Sequence, residues 1–159
     1  MKKLIYFLIL LFLFTGCWNV KKRPNEKISE HFTYYEAVHS GYGSKKHIKN
    51  YPHRDDFKRI KKTAKRMEKI RKIVGEPIHI NSWYRSGKIN KKIGGSRTSA
   101  HTKGLAVDFT VDGNLWEAFN RIIRSGYSYD QIIYYRQKKY IHISFKEKVR
   151  EERRQRFYR

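Results

Sequence analysis

The sequence predicts a single α+β domain, a small and mainly antiparallel sheet with flanking helices. Three observations carry this. The chain has 159 residues, enough for one core and too few for two. Residues 54–74 repeat apolar side chains at helical spacing, whereas residues 104–111, 129–135 and 140–145 read as short strands. The last two strands are separated only by Arg136-Gln-Lys-Lys139, a link short enough for a hairpin but not for a parallel crossover.

In chain order, Lys2 and Lys3 precede an unbroken apolar run from Leu4 to Phe14, followed by Thr15-Gly16-Cys17. A charged start, a short apolar stretch and small residues make residues 1–17 a secretory signal, shorter than the ~20 residues a spanning helix needs. Cys17 is the sole cysteine, so no intrachain disulfide can form. Its place after Thr-Gly resembles a bacterial lipobox, which implies lipidation at Cys17 and an exported lipoprotein anchored in the cell envelope. Residues 18–27, with Lys21-Lys22-Arg23-Pro24, form a basic tether.

Ser29 to Ser40 reads as a short helix capped by Ser29, and Gly41 to Lys46 as a loop. The long helix over Arg54–Val74 opens with Asp55 and Asp56 and ends at Gly75. Phe57, Ile60, Ala64, Met67, Ile70 and Val74 line one side of it, and Lys and Arg fill the other. Pro77–Ser82 is a strand, and the polar stretch from Tyr84 to Ala100 a loop. Asn114 caps a helix running through Arg124, closed by Gly126. Residues 147–159 are expected to be a charged tail, helical or loose, outside the domain spanning 28–146.

The candidate chemistry lies in Ser99-Ala-His101-Thr-Lys-Gly104-Leu-Ala-Val-Asp108-Phe109 and, later, Tyr140-Ile-His142-Ile-Ser144-Phe145. Two imidazoles and one carboxylate make a three-ligand set for Zn²⁺ with a fourth position open. The same set also suits non-haem Fe(II).

These segments resemble the SxHxxGxAxD signature of the peptidase M15 family, the zinc D-Ala-D-Ala carboxypeptidases and related endopeptidases, whose fold is shared with the Hedgehog signalling domain. Ile78-His-Ile-Asn-Ser82-Trp-Tyr-Arg85-Ser86, with Asn90 and Gly94-Gly95, is similar to the family's central stretch. Ile28-Ser-Glu-His31-Phe-Thr33 is similar to its opening, and Tyr129-Asp130-Gln131 to its closing hairpin. The resemblance implies one zinc held by His101, Asp108 and His142, with Arg85 and Ser99 at the substrate. It implies peptidoglycan stem peptides as substrate, cut by D,D-carboxypeptidase or endopeptidase action.

One element of that pattern is missing. Hydrolysis at zinc needs a carboxylate to take a proton from the bound water. The family's Glu falls here at Tyr135 or Arg136, and no acid lies between Asp130 and His142. Asp130 reads as structural and Asp112 as a remote substitute, so the general base is unknown. The alternative function is therefore a catalytically impaired, zinc-containing module that binds wall peptide or another envelope partner.

The net charge of +23 concentrates polyanions. Anionic envelope polymers and the membrane surface fit that field. Nucleic acid does not fit the sequence, which has no helix-turn-helix spacing, zinc-finger cysteines or RNP-like stretch.

Overall fold

The computed structural model describes residues 19–159; the predicted signal segment and Cys17 lie outside the described residues. Among the described residues, five helices and a five-stranded sheet make up one α+β domain. In order these are α1 (Tyr34–Val38), α2 (Gly41–Lys45), α3 (Arg54–Val74), β1 (Ile78–Ser82), α4 (Gly87–Lys92), β2 (Ala106–Val111), α5 (Leu115–Arg124), β3 (Gln131–Tyr135), β4 (Tyr140–Ser144) and β5 (Gln155–Tyr158). Short 3₁₀ turns cover Ala100–Lys103 and Val149–Glu151. Among the described residues, no helix is long and apolar enough to cross a membrane.

The sheet order is β1-β2-β4-β3-β5, and only the β3–β5 pairing is parallel. Alternation sorts its side chains. Val107, Phe109, Ile132, Ile141 and Ile143 join the core with Ile60, Ala64, Met67, Ile70 and Val74 of α3 and with Phe119 and Ile122 of α5. Each of the larger of these side chains, fully withdrawn from water, contributes about 1.5–3 kcal/mol. Asp108 and His142, one residue out of step, project from the opposite face and stand directly across from each other on β2 and β4.

Helix α3 has the predicted bounds. Asp55 and Asp56 occupy its first turn, and Gly75 terminates it with φ +79° in the left-handed region. Helix α5 likewise starts at Asn114, whose side chain accepts from the Glu117 amide.

Three short stretches differ from the sequence reading. Helix α1 begins five residues later than expected. Thr33 and Glu36 form a reciprocal capping box there, while the Ser29 hydroxyl donates to Glu68 at 2.7 Å. The expected loops over Gly41–Lys46 and Tyr84–Ala100 contain α2 and α4, each nucleated by one serine (Ser40 and Ser86) whose hydroxyl accepts from the N3 amide. Ile89 of α4 is fully buried and pins that turn to the domain.

The expected free tail is instead part of the fold. Its strand β5 extends the sheet alongside β3. Charge pairs hold it there. Arg153 grips Asp130 with two bonds of 2.7 and 2.8 Å, and the wholly enclosed Glu152 carboxylate pairs with Arg66 of α3. The Arg66 guanidinium in turn stacks on Phe145, 4.1 Å from the ring centre.

Candidate metal centre

His101 reaches the site from the 3₁₀ turn that leads into β2, and local backbone geometry fixes its position. Gly104 ends the turn at φ +71°, and a Cβ there would lie 2.4 Å from Ile60. The chain can therefore turn sharply against α3 before β2 begins. A bulge in β1 skips Asn81, which puts Ser82 across from Asp108. The same bulge brings the Trp83 carbonyl to Nδ1 of His101 at 2.6 Å.

That contact sets the tautomer. Nδ1–H donates to the carbonyl, leaving the Nε2 lone pair for the site. His101 Nε2 lies 3.3 Å from Asp108 Oδ1 and 3.3 Å from His142 Nδ1, and the last two atoms are 2.7 Å apart. Zinc–ligand bonds of about 2.0–2.1 Å in a tetrahedron require ligand separations of about 3.3 Å. Two separations already match, and the third needs to widen by roughly 0.6 Å to fit the same geometry. The donor set fits the ion.

Electrostatics point the same way. Burial holds the His101 imidazole below its ordinary range and therefore neutral. Burial alone would raise the Asp108 carboxyl, but the two imidazoles and their hydrogen bonds outweigh it and hold the group far down, as a carboxylate. A neutral His101 and an ionised Asp108 are the protonation states in which those two groups can hold a metal ion.

Arg85 closes the site from the side. Its Nη2 donates to Asp108 Oδ2 at 2.5 Å and its Nε to Ser82 Oγ at 2.8 Å. Both Asp108 oxygens are thus directed, one to the imidazoles and one to the guanidinium. Ser99 precedes the His101 turn, and its carbonyl accepts from the Thr102 hydroxyl at 2.7 Å; its own side chain makes no capping bond.

The hairpin brings up two phenols that the sequence reading assigned no role. Tyr135 and Tyr140 are cross-strand partners with rings stacked at 4.6 Å, on the face that carries His142. Burial, then the Asp108 charge and Tyr135, push the Tyr140 hydroxyl up to about 12, so it remains a proton donor. The period-two spacing of Tyr140 and His142 was the available signal. Arg136 lies instead with Trp116, Tyr134, Tyr158 and Arg159 around a separate cavity of about 630 Å³.

Neither acid considered from the sequence enters the centre. Asp130 is bound by Arg153, and Asp112 pairs with His79 at 2.6 Å, four residues and thus about 13 Å along the strand from Asp108. The group of potential ligands here consists of His101, Asp108 and His142 alone. A second group, Glu30, His31 and Glu68, lies at the surface, where Glu68 already accepts from Ser29 and from the His31 amide at 2.7 and 2.8 Å.

A family model described as Peptidase M15 matches residues 30–144, from the opening turn through β4. The chain belongs to the peptidase M15 family. This is a family of zinc-dependent metallopeptidases, and the three converging side chains of this member lie within the matched span. No curated protein matches the chain.

Proposed function

We propose that this M15 domain is a zinc peptidase that hydrolyses peptidoglycan stem peptides in the cell envelope, as a D,D-carboxypeptidase or endopeptidase. The observation that carries the reading is the convergence of His101 Nε2, Asp108 Oδ1 and His142 Nδ1 within 3.3 Å, with the His101 tautomer set by the Trp83 carbonyl. Those three atoms would hold the ion. When bound, zinc supplies a Lewis acid and acidifies a coordinated water to about pKa 7.

The remaining work falls to the chain. Arg85 fixes the Asp108 carboxylate through Nη2, and its Nη1 has no partner among the described residues, which leaves that donor for a peptide carbonyl or carboxylate. The Tyr140 hydroxyl, on the sheet face of His142 and within the field of the Asp108 charge, is a neutral donor for developing negative charge. Export through residues 1–17 and lipidation at Cys17 would hold the domain at the membrane, within reach of wall peptide.

A second reading is favoured by one observation: the acids near the hairpin are tied up elsewhere, Asp130 by Arg153 and Asp112 by His79. Lacking a base, the domain would hold zinc and bind wall peptide without cutting it.

Metal analysis and wall digestion separate these readings. The purified protein should carry about one zinc per chain, and His101→Ala should carry none. Normal zinc in that variant would remove the site. Mass analysis of digested peptidoglycan should then show shortened stem peptides; retention of the protein on the wall with every peptide intact would establish the binding module.

A further inference from the structure

The outer side of α3 is built differently from the rest of this basic protein. Arg54, Lys58, Lys61, Lys62, Lys65, Lys69 and Lys72 are all exposed. At 100° per residue they fall within an arc of about 100°, and no other residue of the helix lies inside that arc. The buried residues Asp56, Ile60, Thr63, Met67, Ile70 and Val74 centre on the opposite side. The result is a straight basic crest about 27 Å long, pointing away from the core. Among the described residues only Lys58 of the seven pairs with an acid, the exposed Asp55. The acids that α3 does engage pair with its flanks, Arg59 with Asp56 and Arg66 with Glu152. Six of the seven are lysines, point charges on flexible stems that suit a diffuse anionic surface better than a fixed bidentate partner.

We propose that the crest of α3 docks the domain on an anionic lipid membrane. Two features select a membrane over a soluble polyanion. First, the chain enters the fold at the start of this helix: Asn19 bridges His53, the residue before α3, and the Val20 amide donates to Pro52 O at 2.8 Å. The apolar run Leu4–Phe14 therefore ends only five residues before a segment paired with the foot of the crest. Lys21, Lys22 and Arg23 follow in the sequence and add positive charge to this entry segment, although Lys22 pairs with Glu26 at 3.0 Å. Second, the crest is convex and carries no aromatic or amide side chain, so it has nothing to stack on or read nucleic-acid bases.

The orientation has a functional consequence. Helix α3 packs toward the face of Val107, Phe109, Ile141 and Ile143, whereas Asp108 and His142 project from the other face. A domain lying on its crest presents the metal centre away from the lipid. The proposal depends on neither zinc binding nor peptide hydrolysis.

The test uses the full chain with vesicles of phosphatidylcholine alone and of phosphatidylcholine mixed with phosphatidylglycerol. The full chain should bind the mixed vesicles far more tightly, and less so as salt rises. One basic residue near an anionic surface is worth about fivefold in partitioning, so K61Q/K62Q/K65Q/K69Q should lose on the order of a hundredfold or more of that preference. Glutamine matches lysine in helix propensity, so the helical circular dichroism should be unchanged. A control variant, K88Q/K91Q/K92Q/K138Q, removes equal charge elsewhere and should retain most of the preference. Equal losses in the two variants would make net charge, not the crest, the determinant and overturn the proposal. Release from the mixed vesicles by polyglycerol phosphate or duplex DNA at low concentration would also overturn it, in favour of a soluble polyanion.

Discussion

The Arg85 guanidinium and the Asp108 carboxylate meet at 2.5 Å, on the carboxylate oxygen that the two imidazoles do not use. The pair is largely buried, and Ser82 restrains the guanidinium from its other side. A residue expected to contact substrate thus also aims a metal ligand. Partners of this kind typically govern metal affinity by tenfold to a hundredfold. Arg85→Lys keeps the charge but loses the planar fork that reaches Ser82 and Asp108 from two separate nitrogens, and it should weaken zinc binding by about tenfold in a competition titration with a chelator. Unchanged zinc affinity with reduced cleavage would assign Arg85 to substrate alone.

Asp130 sets the acid limit of the C-terminal strand. Burial raises its carboxyl, but the Arg153 bonds and the nearby Lys146 outweigh that and lower it below the ordinary range. A carboxyl with a folded-state pKa below its unfolded value of about 3.9 stabilises the fold above that pH, and the stabilisation is lost as pH falls through the folded value. Protection factors of the amides over residues 155–158, taken relative to the intrinsic exchange rate at each pH, should therefore be high at neutral pH and fall below about pH 4. In Asp130→Asn the same amides should exchange quickly at neutral pH. Persistent protection in that variant would shift the anchoring of β5 to Glu152 and Arg66.

The contrast between this tail and the long helix explains what the sequence made legible. The bounds of α3 depend on an apolar period, two N-terminal acids and a closing glycine, all local to residues 54–75. The His101, Asp108 and His142 set rests on a motif and on strand alternation, and β2–β4 pairing makes two of the three direct neighbours. Strand β5 depends on partners far away in sequence. Glu152 and Arg153, which precede it, look like a solvated charge run until Arg66 and Asp130 come up against them. The short helices α2 and α4 depend on single serine caps, whose weight is small beside the glycine content of the same stretches. The double role of Arg85 depends on the β1 bulge, which leaves no periodic trace in the sequence.

Gly104 links that local geometry to stability. Its φ of +71° disfavours any side chain, and an added Cβ would lie 2.4 Å from Ile60 Cγ1, inside the packed contact between the His101 turn and α3. Backbone strain and overpacking each cost about 1–3 kcal/mol, so Gly104→Ala should lower stability by about 2 kcal/mol or more in urea denaturation. Zinc content should fall with it, because the turn that carries His101 must shift. A loss below about 0.5 kcal/mol, the range of an ordinary surface change, would mean that the turn relaxes freely.

The absent carboxylate can be tested by position. By the resemblance read from the sequence, the family's Glu is expected at Tyr135 or Arg136, and the sheet distinguishes these two. Tyr135 pairs with Tyr140 and shares a face with His142, whereas Arg136 belongs to the cavity lined by Trp116 and Tyr158. A carboxylate at position 135 is directed toward the metal-centre face, and one at 136 is directed away from it. A positioned general base is worth roughly a hundredfold or more in rate. Tyr135→Glu should therefore raise stem-peptide cleavage by at least about tenfold, allowing for imperfect placement, while Arg136→Glu leaves it unchanged. The matching readout is the pH profile of cleavage, in which Tyr135→Glu should add an acid limb that the parent protein lacks. Equal rates in all three proteins, with one zinc bound in each, would mean that proton transfer is not what limits this site.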